Sequence, residues 1–115
     1  MKKVAVFSGS RSEYGLLKYL LKEIQSSKYM SLNLIVSGSH LVKNYGKSIE
    51  EIKKDKIKIS KIIKFKFEKN MSEPKNMSEN MSALISNLSK YLKKNLPDVI
   101  ILVGDRYETF IAAVT

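Results

Sequence analysis

Both arginines of the chain and its single histidine fall in three short polar stretches, each directly after an apolar run. The first reads Ser8-Gly9-Ser10-Arg11-Ser12-Glu13-Tyr14-Gly15, the second Ser37-Gly38-Ser39-His40, and the third Gly104-Asp105-Arg106-Tyr107-Glu108. Arg is a planar, permanently charged fork that matches phosphate oxygens. A Gly- and Ser-rich turn that opens a helix adds free backbone N–H groups and the positive end of the helix dipole. The first stretch is neither a dinucleotide-type glycine fingerprint nor a Walker loop. As a phosphate loop it therefore stands beside a simpler reading, an ordinary strand-to-helix turn with a surface Arg. Asp105 could move a proton or orient a hydroxyl, with Arg106 holding a phosphate. The competing reading of Asp105 is an N-cap, since Asp is among the best capping residues. Glu108 has a similar alternative as an acidic residue in a first helical turn. His40 could carry a proton or serve as a structural hydrogen-bonding residue.

The elements around these stretches alternate in type. Residues 3–7 read as a first strand. From Ser12 to Ser26, Leu16, Leu17, Leu20, Leu21 and Ile24 recur at helical spacing, with Ser10 or Ser12 as cap. Residues 32–36 form a second short apolar run, and residues 48–54 a short polar helix. Residues 57–67 read as a third strand. There Ile63, Phe65 and Phe67 alternate with Lys64 and Lys66, as in a half-buried edge strand with Lys on its wet face. Residues 70–80, polar and holding Pro74, read as a loop. Met77, Met81, Leu84, Ile85, Leu88, Tyr91 and Leu92 then make a helical stripe, read as core. Residues 99–103 are a wholly apolar strand, and a last helix opens near Tyr107. This βαβαβαβα order predicts an α/β fold, a Rossmann-like parallel sheet with helices on both faces. In such a sheet ligands bind beyond the carboxyl ends of the strands, where all three polar stretches fall.

Composition bounds the alternatives. A chain of 115 residues suits one domain. With no Cys there is no thiolate metal site, disulfide or Cys nucleophile, and one His excludes a site of several imidazoles. The formal charge is +10, but all basic residues other than Arg11 and Arg106 are Lys. A lysine run is most simply a solvated face, and no aromatic platform is interleaved with it, so a nucleic-acid partner is not expected. No apolar stretch is long enough to cross a membrane. The apolar start at residues 4–7 is too short for a secretory signal, so the Asn-Met-Ser triplets at Asn70, Asn76 and Asn80 read as chance matches to a glycosylation pattern. The chain ends at Thr115 with no Gly cap or polar tail, which predicts a piece of a longer polypeptide.

In order, spacing and strand context, Gly9-Ser10-Arg11-Ser12-Glu13-Tyr14-Gly15, Gly38-Ser39-His40-Leu41 with Tyr45-Gly46, and Gly104-Asp105-Arg106-Tyr107-Glu108 resemble the start of a UDP-N-acetylglucosamine 2-epimerase. The likeness is closest to the hydrolysing branch used in sialic and related nonulosonic acid pathways. It implies two Rossmann-like domains facing across a cleft in the GT-B arrangement, residues 1–115 being part of the N-terminal one. It also implies a reaction: loss of the C2 proton, expulsion of UDP, and hydration of the resulting glycal to N-acetylmannosamine. By position, Arg11 and Arg106 would contact UDP. Gly15 stands where some members place a UDP-contacting Ser, so only its backbone could serve. Asp105 would be the catalytic acid/base or sugar-orienting carboxylate, with His40 and Glu108 near the site in weaker roles. The resemblance implies a UDP-sugar partner, no metal or nicotinamide cofactor, a cytoplasmic location and a homo-oligomeric parent. The family's Gly-Gly-Glu segment and second domain lie beyond Thr115, so the chain alone is expected to be inactive. Two alternatives stay open: the same chemistry on a UDP-bacillosamine derivative, or a stand-alone nucleotide- or anion-binding module.

Overall fold

The structure, a computed structural model, describes residues 1–9, 11–37, 48–64, 74–103, 112, 113 and 115, without the side chains of Arg11, Ser12, Ser48, Pro74, Lys75 and Asn76. Its elements are β1 (Lys2–Ser8), α1 (Arg11–Ser26), β2 (Met30–Val36), α2 (Ser48–Lys54), β3 (Lys61–Ile62), α3 (Pro74–Lys94) and β4 (Val99–Ile101). The strands form one parallel sheet in the order β3-β2-β1-β4. Residues 112 and 113 are helical, while the start of the last helix expected near Tyr107 lies outside the described residues.

β1 is the spine of this sheet, and its alternation explains the layering. Successive side chains of a strand point to opposite faces. Val4 and Val6 therefore join Leu34 and Val36 of β2 on one face, under Tyr14, Leu17, Leu21 and Ile24 of α1 and Ile52 of α2. Ala5, Phe7 and Ile35 meet Leu84 and Leu88 of α3 on the other. Both faces are covered, as an all-parallel sheet requires.

The structure departs from sequence expectation at four places. In α1 the helix buries Tyr14 with Leu17, Leu21 and Ile24, while Leu16 is 75% exposed and Leu20 41%. Adjacent leucine pairs cannot all face one sheet, and the 3-4-3 spacing that starts at Tyr14 selects which of each pair turns inward.

Among the described residues the third strand covers Lys61–Ile62 of the expected 57–67. Ile57 is used to close α2 instead. Lys56 takes a left-handed conformation (φ 61°), the Lys56 N–H donates to the Lys53 carbonyl at 3.0 Å and the Ile57 N–H to the Ile52 carbonyl at 3.3 Å. This is the Schellman pattern, with Ile57 and Ile52 buried in the same cluster as its apolar contact. Gln25 fixes the turn from α1, donating to the Lys56 carbonyl at 3.0 Å and accepting from the Lys58 N–H at 2.9 Å. Phe65, Lys66 and Phe67 of the expected strand lie outside the described residues.

Helix α3 begins at Pro74, inside the stretch expected to be a loop. Pro suits a first helical position, because its ring pre-sets φ and the N–H it lacks would have no partner in the helix. The described helical residues 77–80 also include Asn80, which is fully buried.

Among the described residues β4 pairs with β1 alone, over Val4↔Val99 to Val6↔Ile101. Its apolar sequence is that of a strand buried on both sides, yet Val99 is 52% exposed at the edge of the described sheet. Asp98 fixes its entry, accepting from the Lys3 N–H at 2.7 Å and donating its own N–H to the Lys3 carbonyl at 2.8 Å.

Candidate functional site

Because β1, β2 and β4 are parallel, the residues that follow them leave the same edge of the sheet. The first two exits lie side by side: the Ser37 N–H donates to the Ser8 carbonyl at 3.1 Å, so the ladder continues one step past the last strand pair. Both serines are fully buried. Ser37 also donates through its Oγ to the Ile63 carbonyl at 2.8 Å, tying the end of β2 to the end of β3. The third exit passes through Val103, packed against the core cluster of α1. In the sequence, the three polar stretches follow these exits. The structure places the backbone of Arg11 at the first residue of α1 and describes Gly15 in full. His40, Asp105, Arg106 and Glu108 lie outside the described residues.

The turn between β1 and α1 is closed by Glu13. Its carboxylate is buried and accepts from the Gly9 N–H at 2.9 Å. Ser10-Arg11-Ser12-Glu13 is a capping-box pattern in the sequence. That spacing could have revealed Glu13 as the clasp of the loop, although here the carboxylate reaches one residue further back than in the usual box. The consequence for anion binding is direct. The Gly9 N–H is already satisfied by a carboxylate, so it is not one of the free donors expected of this turn.

Gly15 is a glycine in a helix, where it costs about 0.5–1 kcal/mol relative to Ala. Packing does not require it: a Cβ built at this position would meet no atom within 4 Å. Gly15→Ala is therefore expected to raise folding stability by about 0.5–1 kcal/mol, read by urea denaturation. A loss of stability would reveal a close neighbour that the structure does not have.

Tyr14, between Glu13 and Gly15, is an anchor that its sequence position did not reveal. Its ring is fully buried and its hydroxyl donates to Asp55 Oδ2 at 2.6 Å. Asp55 follows α2, and Lys18 Nζ lies 3.4 Å from the same oxygen. The network thus joins the first turn of α1 to the end of α2. No local pattern links residues 41 apart in the chain. Burial, with the hydrogen bond to Asp55 and its negative charge, pushes the Tyr14 hydroxyl well above its ordinary pKa. The Tyr14 hydrogen bond, with help from the Lys18 ammonium, holds Asp55 below the usual carboxylate range.

These shifts set the pH behaviour of the link. Asp55 is depressed on folding, so its contribution is present above the ordinary carboxylate pKa and is lost as pH falls through the folded value. Tyr14 is raised on folding, so its contribution is present below about pH 10 and is lost as pH rises beyond it. Tyr14→Phe is expected to lower the melting temperature by a few degrees at neutral pH. The gap to the unsubstituted chain should narrow both below about pH 4 and above about pH 10. A gap constant across that range would remove the proposed origin of the effect.

Among the described residues no helix is long and apolar enough to cross a membrane, and no three His, Asp or Glu side chains gather as a metal site would need.

Comparison with known proteins agrees with this architecture. The family model for UDP-N-acetylglucosamine 2-epimerase matches residues 22–115. A polysialic acid biosynthesis protein of Escherichia coli is 31% identical over 114 residues, which are 99% of this chain and 29% of that protein. The hydrolysing UDP-N,N'-diacetylbacillosamine 2-epimerase of Legionella pneumophila is 30% identical over 99% of this chain and 30% of its own length. The crystal structure of the Neisseria meningitidis UDP-GlcNAc 2-epimerase bound to UDP-GlcNAc superposes with a TM-score of 0.73 at 22% identity, over 99% of this chain and 28% of that one. The chain therefore spans less than a third of the length of these relatives. On the family match and the shared fold together, the chain belongs to the UDP-N-acetylglucosamine 2-epimerase family.

Proposed function

We propose that this chain is the N-terminal, Rossmann-like part of a hydrolysing UDP-N-acetylglucosamine 2-epimerase with a GT-B-like second domain. The reaction would take UDP-N-acetylglucosamine and water to N-acetylmannosamine and UDP. The observation that carries the proposal is the convergence on one sheet edge of the exits that lead to Arg11, His40 and Arg106, in a chain of this family. A base removes the C2 proton as the C1–O bond to UDP breaks, and the bonding pair leaves with the diphosphate. Water then adds across the glycal, its hydroxyl to C1 and a proton to the opposite face of C2. No net oxidation occurs, and in this sequence of steps C2 loses and regains a proton rather than a hydride. Charge develops on the departing diphosphate, where Arg11 and Arg106 would stabilise it. Asp105 would be the acid/base, with His40 and Glu108 supporting it. The open space over Gly15 lets a phosphate approach the backbone closely.

The product would feed synthesis of a sialic-type acid, a reading supported by the name of the Escherichia coli relative. The name of the Legionella relative supports a second reading, the same chemistry on UDP-N,N'-diacetylbacillosamine. A cytoplasmic, homo-oligomeric parent belongs to the same proposal.

The test compares the 115-residue chain with the complete native gene product, whose length is read by intact mass. The complete product should release UDP from UDP-N-acetylglucosamine or its bacillosamine counterpart, and the chain alone should not. UDP release by the chain alone would overturn its assignment as part of a larger catalytic unit. A native product ending at Thr115 and inert toward both sugars would leave an anion-binding module.

A further inference from the structure

Lys61 of β3 and Lys64, two residues past the strand, belong to what the sequence presents as a solvated edge, and they share a concave surface with lysines of α3. A groove of about 420 Å³ runs between the two elements, with Lys61 and Lys64 on the strand side and Asn87, Lys90, Tyr91 and Lys94 on the helix side. No carboxylate lines it among the described residues. Its floor is fixed. The Tyr91 hydroxyl donates to Asn33 Oδ1 of β2 at 2.6 Å, which pins the ring against the sheet, and Lys61 Nζ sits 5.9 Å from the ring centroid. Lys90 and Lys94 are one helical turn apart, a spacing at which like charges oppose each other. The helix dipole accounts for Lys94 in the last turn, and protection of an edge strand accounts for Lys64. Edge protection and the Tyr91 ring account for Lys61 as well, but neither bears on Lys90, which lines the same hollow.

Ile62 and Ile63 complete the strand side of the groove, and because Ile63 also accepts the Ser37 Oγ bond at the end of β2, the groove adjoins the rim described above. It lies on the flank of the outermost described strand, β3, at the far side of the sheet from β4. Tyr91 reaches Asn33 in β2, three residues before the strand ends at Val36.

We infer that this groove is a second anion site, taking a small ligand with two or more adjacent anionic groups. The volume falls in the range of small-molecule sites. Four ammonium groups with neutral amide and phenol neighbours suit oxygens spread over more than one group. Phosphate and carboxylate ligands share this chemistry, and the experiment separates them.

Isothermal titration calorimetry would follow pyrophosphate and citrate, each added to the protein without UDP, whose own diphosphate would compete for the groove. The expected result is saturable binding of at least one, weakened by salt. The Lys61→Gln/Lys90→Gln double variant should raise its Kd at least tenfold. A control that removes the same charge elsewhere, Lys2→Gln/Lys28→Gln, should change it less than threefold, and circular dichroism confirms that both variants fold. The ligand that binds names the anion class. Absence of binding by both ligands would overturn the inference. So would an equal loss in the two double variants, which would mean that only the overall positive charge attracts anions. Binding of an acidic peptide such as hexaglutamate, with neither small anion bound, would replace the small-ligand site with a protein-docking surface.

Discussion

Replacing Asp105 by Asn is expected to lower UDP release by the complete enzyme roughly 100- to 10,000-fold, the usual contribution of a positioned acid or base. UDP affinity should change little, because Arg11 and Arg106 carry the diphosphate contacts in the proposal. Asn is chosen because it divides the two readings of this residue. Asn caps a helix as well as Asp does. If Asp105 serves only as an N-cap, Asp105→Asn leaves both rate and stability near those of the unsubstituted enzyme. If it exchanges a proton with C2, the amide cannot replace it and turnover collapses in a folded protein. The pair of measurements, steady-state UDP release and a thermal melt, therefore has one outcome for each role. Removal of a weakly acidic C2 proton also benefits from a base whose pKa lies near the working pH, so the rate of the unsubstituted enzyme should depend on pH through such a group.

The second large effect falls on folding. Phe7→Ala is expected to destabilise the protein by about 3–5 kcal/mol, the usual cost of deleting a fully buried aromatic. Phe7 has no exposed surface and packs with Ala5, Ile35, Leu84 and Leu88 on the α3 side of the sheet. It sits on β1, which pairs with strands on both sides, so backbone movement to fill the cavity would have to carry both neighbours with it. A domain of this size is stable by only about 5–15 kcal/mol in total. The melting temperature should therefore fall by more than about 10 °C. Leu16→Ala is the matched control, because Leu16 is 75% exposed and its loss should change stability by less than about 0.5 kcal/mol. Similar melts for the two variants would contradict the assignment of Phe7 to the core.

The contrast between Phe7 and Leu16 also marks what the sequence could reveal. Val4-Ala5-Val6-Phe7 is apolar at every position, which already implies burial on both faces and hence a parallel sheet with helices above and below. The leucines of α1 were harder, because Leu16-Leu17 and Leu20-Leu21 offer two overlapping stripes. The choice between them depends on Tyr14, whose polar hydroxyl hid its buried role until Asp55 supplied a partner. The role of Ile57 is hidden in the sequence for a related reason. Alternation of Ile with Lys after residue 56 has the period of a strand, but the contact that uses Ile57 is with Ile52, in the helix before it. Pro74 signals an irregular segment anywhere except a first helical turn, and it begins α3.

For the site, the legible part was the set of strand exits, since parallel strands place their following loops on one edge whatever those loops contain. Glu13 was legible in principle through its capping spacing. The Tyr14 link was not, and neither was the approach of Lys61 to Tyr91 on a groove that Lys90 also lines, because sequence patterns report periodicity along one element and not the convergence of two.

In the proposed function the rim of this sheet serves a reaction in which C2 exchanges a proton with solvent and UDP departs. The most direct test is to incubate the complete gene product with UDP-N-acetylglucosamine, and separately with UDP-N,N'-diacetylbacillosamine, in deuterium oxide. Products are followed by proton NMR. The predicted result with one of the two is free UDP in a one-to-one ratio with a 2-epimerised amino sugar that carries deuterium at C2. Release of UDP with the C2 proton and configuration retained would contradict the mechanism, and a 2-epimer still joined to UDP would contradict the hydrolysing assignment.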